Sequence, residues 1–310
     1  MTSRIRDLPE WLRNIGLRIF SEKNGGFESF ERFLIKLETS QRYRVNVAGI
    51  DVWLATTEGV RDSAVQMLMG NEGRGKDQYG LNRLMQDMME SHQLGYDDRG
   101  VIVDIGANLG DFSIAAAKLF PSLQIIAFEP VPTTFFAMNY NFWINGITLL
   151  DHKDLKVGGK GGVVAVHAAI ADKNDVREVF WNSEQTNLAF VDPMTLAETH
   201  GKRIKEMTAS QDVRGVVLED FLKQHDRLDR RVLFLKMDCE GCEFDALPSM
   251  KDLFVDRSRV RYIGMEYHQS LLRTAGYTYA RKASAQQQRS SSEILRVRGC
   301  EPQHEWILWC

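Results

Sequence analysis

From Gly100 onward, short apolar runs alternate with longer helical stretches. Val101-Ile102-Val103 ends at Asp104, Leu123 to Phe128 ends at Glu129-Pro130, and Val163 to Ile170 forms a third run. Val232 to Met237 ends at Asp238, and Arg261 to Met265 ends at Glu266. Between them, Phe112 to Phe120 is Ala-rich and helical in period. Thr133 to Asn145 follows Pro130 and Pro132 and stops at Gly146, the punctuation of a helix. Runs that are apolar throughout predict strands buried on both faces, hence a parallel sheet covered by helices on each side. A last strand is expected over Glu305 to Trp309, preceded by a helix over Ser290 to Val297 that Ser290 and Glu293 would cap. The polar stretch Gln286 to Ser292 reads as an exposed loop, and Asp151 to Gly162 as a solvated Lys/Gly-rich insertion.

Upstream the pattern is mixed. Trp11, Leu12, Ile15, Ile19 and Phe20 line one side of a short amphipathic helix, expected to dock on the body of the protein. Phe27 to Leu37 has helical periodicity. Arg42 to Ala55 alternates around Ala48-Gly49, a β-hairpin pattern. A Gly-rich loop over Asn71 to Lys76 then leads to a Met-rich helix over Tyr79 to Met89. Residues 1–95 therefore read as an α+β extension, and residues 96–310 as the α/β domain.

Composition narrows the class. With 39 Lys+Arg against 42 Asp+Glu, the charge balance gives no sign of a nucleic-acid-binding protein. No apolar run is long enough to span a bilayer, and the acids Asp7 and Glu10 sit where a signal peptide would carry basic and apolar residues. A cytoplasmic protein is expected. Four cysteines are too few for a disulfide scaffold. Cys239 and Cys242 form a C-x-x-C, open to reading as a redox pair or half a zinc site; without a second pair, the expectation is two reduced, partly buried side chains beside a site.

Ligands of open parallel sheets bind beyond the carboxyl ends of the strands. Here Asp104, Glu129, Asp238, Glu266 and His268 gather at such ends. Gly106 and Gly110, with Asn108 between them, would bring a ligand close to backbone and to a helix start; a plain β–α turn uses glycines in the same way. Glu129 lies about 20 residues beyond these glycines, where nucleoside-binding folds put an acid on ribose hydroxyls. The spacing is not the G-x-G-x-x-G that seats a pyrophosphate. Asp104 and Asp111 would repel one and would suit a ligand carrying an ammonium group.

These segments resemble the FkbM-type methyltransferases. Residues 101–113 are similar to that family's first motif, and Phe128-Glu129-Pro130 with Asn141 and Asn145 to its second. Leu235-Lys236-Met237-Asp238-Cys239-Glu240-Gly241-Cys242-Glu243 resembles its Lys-Ile-Asp-Val-Glu-Gly-Ala-Glu motif, and Val217 to Leu222 the segment before it. The two cysteines, Glu219 and the 151–162 insertion depart from the pattern. The resemblance implies a Rossmann-like class I methyltransferase fold with a mostly parallel seven-stranded sheet and helices on both faces. It implies transfer of a methyl group from S-adenosylmethionine to a hydroxyl of a small molecule, sugar or lipid-like acceptor. By carry-over, Asp104, Gly106, Asn108 and Gly110 hold the methionine end, Glu129 the ribose, and Ala168 and Ala169 lie near the adenine. Asp238, Glu240 and His268 are the catalytic candidates, with Asp238 or His268 taking the acceptor's proton. Asp238, Glu240, Glu266 and His268 could alternatively hold Mg²⁺. Trp181, Phe190 and Tyr277 are candidates for an apolar acceptor pocket, although such aromatics more often serve the core, and Lys202, Arg203 and Lys205 read as a solvated face. The rivals are a nicotinamide-dependent oxidoreductase and a methyltransferase-like scaffold without activity.

Overall fold

The computed structural model describes residues 3–21, 26–40, 42–57, 81–82, 86, 100–156, 159–182, 185–191, 208–225, 231–239, 242–256, 258–266, 301–302 and 307–309. Its centre is a sheet of five parallel strands. These are β3 (Gly100–Ile105), β4 (Gln124–Phe128), β5 (Gly162–Val166), β10 (Arg231–Met237) and β11 (Val260–Glu266), in the order β5-β4-β3-β10-β11. Two short strands, β12 (Glu301–Pro302) and β13 (Ile307–Trp309), extend the β11 edge to seven, with β13 antiparallel to β11 and β12 antiparallel to β13. The order turns back between β3 and β10, the switch point at which such sheets bind ligands. This is a Rossmann-like α/β architecture, with antiparallel pairing at one edge.

The sheet is buried on both faces, as its apolar runs require. Every residue of β3 and β4 is buried. On one side lie α4 (Asp111–Leu119) and α5 (Pro132–Ile144). On the other lie α6 (Leu218–Gln224), α7 (Glu243–Ser249) and α8 (Lys251–Val255), which join a second apolar cluster with Val103, Ile126, Val164 and Leu235.

After a short α1 (Ser3–Asp7) that the pattern did not announce, the upstream elements form as it predicts: α2 (Glu10–Ile19), α3 (Gly26–Thr39) and a hairpin of β1 (Tyr43–Val47) and β2 (Ile50–Leu54) turning at Ala48-Gly49. Leu12 and Ile19 of α2, Phe30 and Leu34 of α3, and Val52 and Leu54 of β2 share one apolar cluster with Phe136 and Phe142 of α5. Trp11, expected on the docked side of α2, is instead 37% exposed.

One expectation is corrected. Val163 to Ile170 is not one strand. The chain turns at His167-Ala168, and β6 (Ala169–Ile170) leaves to join a four-stranded sheet with β9 (Ala209–Val216), β7 (Val176–Asn182) and β8 (Gln185–Val191), which the hydrophobic pattern did not reveal. The 151–162 insertion is exposed over much of its described length, as expected, and is also anchored. Gln124 donates to the Asp154 and Lys160 carbonyls at 3.0 Å each, and Leu155 is buried. Trp181 packs with Val131, Val179 and Val213 in a small core of its own, so its ring serves packing. The segments 71–76, 286–292 and 290–297, most of the Met-rich stretch, Tyr277 and the basic run at 202–205 lie outside the described residues, as does the Phe190 side chain.

Candidate functional site

The site lies where the loops leaving β3 and β10 meet. Asp104 and Lys236 are cross-strand neighbours on β3 and β10. Both are buried, and Lys236 Nζ lies 3.1 Å from Asp104 Oδ1. Ser113 Oγ, in the first turn of α4, donates to Asp104 Oδ2 at 2.7 Å. Both carboxylate oxygens thus meet the protein's own groups, and Asp104 supports the loop from beneath. Lys236 also donates to the Gly106 carbonyl at 2.6 Å and the Ile105 carbonyl at 3.3 Å. Burial would lower its pKa, but Asp104, Asp238 and Asp111 outweigh burial and hold it above the usual lysine value.

The loop itself needs its glycines for packing. Gly106 has φ +71°, and a Cβ there would come 1.8 Å from the backbone oxygen of Asp238. Its missing side chain makes room for the neighbouring strand end rather than for a ligand alone. Gly110 has φ +82°, and a Cβ would press on Phe142 at 2.7 Å and Met138 at 3.0 Å, where α4 meets α5. Asn108 takes φ +48°, a left-handed conformation that asparagine tolerates better than most residues.

Glu129 locks this loop to β4. Its Oε2 accepts from the Asn108 backbone N–H and its Oε1 from the Val131 N–H, each at 2.9 Å. The side chain is 5% exposed and faces the loop, leaving one further lone pair on each oxygen. Burial raises its pKa from the usual 4.5 to about 7, against the two backbone N–H donors and Lys236, which lower it. Asp111, at the start of α4, is pushed up to about 6, first by burial, with Asp104 and Asp238 adding to the rise and Lys236 opposing it. The Asn108 side-chain oxygen is buried and has no hydrogen-bond partner.

Asn141 and Asn145 hold the hairpin to this centre. Asn141 Nδ2 donates to the Leu109 carbonyl at 3.0 Å, while its Oδ1 accepts from the Ala55 N–H at 2.8 Å. Asn145 bonds both the N–H and the C=O of Trp53. One buried asparagine therefore ties the loop after β3 to the end of β2.

Asp238 follows β10, and its N–H donates to the Ile105 carbonyl at 3.0 Å. Its side chain is partly buried at the same strand ends. Glu240 and His268 lie outside the described residues, and only the backbone of Glu266 is described. Ala168 and Ala169 are buried. The neighbouring His167 stacks on Phe135 at 4.9 Å, with Nε2 2.9 Å from the Pro130 carbonyl. Burial holds it down at about 4, so it is neutral near pH 7. Sequence reasoning missed His167, whose polar ring inside the third apolar run was its one signal.

The expectation of two reduced cysteines is overturned. Cys239 and Cys242 are joined by a disulfide. Both are partly buried, as expected, beside Asp238. Among the described residues, Cys239, Cys242 and Glu243 are the group near enough to share a metal ion, and the disulfide occupies both sulfurs.

These strand-end loops, with an acid on each and an antiparallel edge to the sheet, define a class I methyltransferase fold. The family model "Methyltransferase FkbM domain" matches residues 104–285, more than half of the chain, and the chain belongs to that family. It is 27% identical over 159 residues to "Methyltransferase 1" of Beauveria bassiana (strain ARSEF 2860), covering 51% of this chain and 61% of that protein. It is 27% identical over 165 residues to "Methyltransferase sdnD" of Sordaria araneosa, covering 49% of this chain and 60% of that one. The matches thus span about three-fifths of each relative's length. Among solved structures, "METTL16 MTase domain" aligns at 14% identity and a TM-score of 0.33, covering 100% of this chain and 94% of that one; at that score it adds nothing to the topology.

Proposed function

We propose that this chain transfers a methyl group from S-adenosylmethionine to a hydroxyl of a small molecule, sugar or lipid-like acceptor. The observation that carries the cofactor assignment is the charge of the cradle. Asp104, Asp111 and Glu129 converge on the loop after β3, and among the described residues the cation acting on Asp111 and Glu129 is Lys236. Such an acid-rich cradle suits a ligand with a cationic tail and disfavours a pyrophosphate. The residues fit the group in a second respect, since the orphaned Asn108 oxygen is an acceptor awaiting a donor.

The cofactor supplies an electrophilic methyl on a sulfonium. Asn108 and the loop backbone would hold its amino-acid end, above the Asp104–Lys236 pair that fixes the loop. Glu129 would accept from the ribose hydroxyls with the lone pairs left by the Asn108 and Val131 N–H groups. Gly106 and Gly110 act by letting the loop close. Asp238 would accept the acceptor's proton as the oxygen attacks, and Glu240 and His268 remain catalytic candidates on their sequence positions. Most of the acceleration expected from such a site is positioning.

Calorimetric titration with S-adenosylmethionine, S-adenosylhomocysteine and NADH separates the readings, followed by a labelled-methyl assay on a panel of hydroxyl compounds. Heat with the first two compounds and none with NADH is expected. Asp238→Asn should abolish turnover while cofactor affinity stays within about threefold, because a proton acceptor acts on the chemical step rather than on binding. Full turnover in that variant contradicts the assignment, and binding without turnover on any acceptor favours a scaffold.

A further inference from the structure

The family-like motif of β10 carries two cysteines, and nothing in the proposed transfer uses them. Their bond closes a ring around Glu240 and Gly241 that begins directly after Asp238. The segment that starts the ring also walls the loop after β3. A Cβ on Gly106 would meet Asp238 O at 1.8 Å and Cys239 Cα at 3.2 Å. A change in the backbone path of Asp238 and Cys239 is therefore felt at Gly106, whose carbonyl Lys236 holds. Both cysteines are partly exposed, so a small thiol can reach them. The buried Glu243 carboxylate lies 3.4 Å from Cys239 Sγ.

We propose that Cys239 and Cys242 are a thiol–disulfide exchange site that sets the cofactor affinity of the neighbouring loop, its co-reactant a small dithiol or a dithiol protein. A thiolate of the co-reactant attacks Cys242 Sγ, which makes Cys239, the sulfur 3.4 Å from the Glu243 carboxylate, the leaving group. The S–S bond breaks and Cys239 leaves as a thiolate that takes a proton, with Glu243 as hydrogen-bond acceptor for the resulting thiol. The co-reactant's second thiol then displaces Cys242. The protein gains two electrons and two protons, and the co-reactant becomes a disulfide. A bond between residues three apart closes too short a loop to govern overall stability, so its effect is local. The oxidised ring holds the Asp238–Cys239 backbone against Gly106 and favours binding; reduction frees it.

The readout rests on the cofactor reading above. The full chain is equilibrated in graded mixtures of reduced and oxidised dithiothreitol and alkylated, and its peptides are weighed. S-adenosylmethionine affinity is then measured by calorimetry at each mixture. Expected are a reversible two-thiol transition confined to the peptide bearing Cys239 and Cys242, and affinity at least about fivefold weaker in the reduced form, the low end of ordinary site coupling. The Cys239→Ser/Cys242→Ser variant should bind like the reduced protein in every mixture. Equal affinity in both forms overturns the gating alone and leaves the cofactor reading standing. No binding in either form overturns both. Protein recovered with one zinc ion and both thiols unjoined also overturns the exchange site.

Discussion

The loops leaving β3 and β10 lie side by side at the same edge of the sheet, yet different forces hold them. The first is fixed by a buried ion pair, a carboxylate on backbone N–H groups and an asparagine reaching in from α5. The second is closed by one covalent bond over three residues of sequence. The non-covalent network is distributed through the core, so its loss unfolds more than the loop. The covalent ring is local and can be opened by chemistry that leaves the core intact. A loop that must present fixed backbone to a cofactor suits the first solution, and a loop that responds to its surroundings suits the second.

That contrast can be broken at either loop. The largest effect should come from Lys236→Met, which strands the buried Asp104 carboxylate without its cation. The loss of stability should be about 3–5 kcal/mol, read by denaturant or thermal unfolding. Adding Asp104→Asn should recover part of that loss, because no buried charge then remains. A single variant that melts with the wild type would show that the pair does not hold the loop. Asn141→Ala comes next. It leaves the Ala55 N–H and the Leu109 carbonyl without partners, at about 3 kcal/mol together, and should loosen the hairpin in hydrogen exchange. The smallest effect belongs to the exposed Arg44–Asp51 pair on the hairpin, which solvent screens; Asp51→Asn should leave the unfolding midpoint unchanged.

Much of this frame is legible from residue letters. Strands buried on both faces read as unbroken apolar runs, which is why β3, β4, β10 and β11 are found nearly to the residue. The hairpin is legible because β1 and β2 alternate around an Ala-Gly turn. The second sheet is not legible, because β9 keeps much of its length exposed and carries Ser210, Gln211, Asp212 and Arg214 among its few apolar residues. The acids at the strand ends are visible in the sequence, but their partners are not. Glu129 bonds backbone N–H groups, which have no letter, and Asp104 meets a lysine 132 positions away that only the pairing of β3 with β10 brings opposite. The same holds for Asn141 and Asn145, which read as family-like letters and act as straps. The C-x-x-C spacing permits a disulfide, half a zinc site or two thiols alike, so the bond between them is read from the structure alone.

A cationic nucleoside bound beside Glu129 must bind with a characteristic pH dependence. In the free protein Glu129 stands at about 7, so the folded chain holds a proton there that the unfolded chain, with the usual 4.5, has already lost. Its contribution to stability is therefore full below 4.5 and fades as pH climbs toward 7. A bound cation and ribose hydroxyls favour the ionised form and draw the pKa down, so binding releases a proton. S-adenosylmethionine affinity, measured by calorimetry in two buffers of different ionisation enthalpy, should rise about tenfold from pH 6 to pH 8. Proton release should accompany binding near pH 6.5, and Glu129→Gln should flatten the profile. Affinity that is unchanged or weaker at pH 8, or no heat at any pH, would contradict the account.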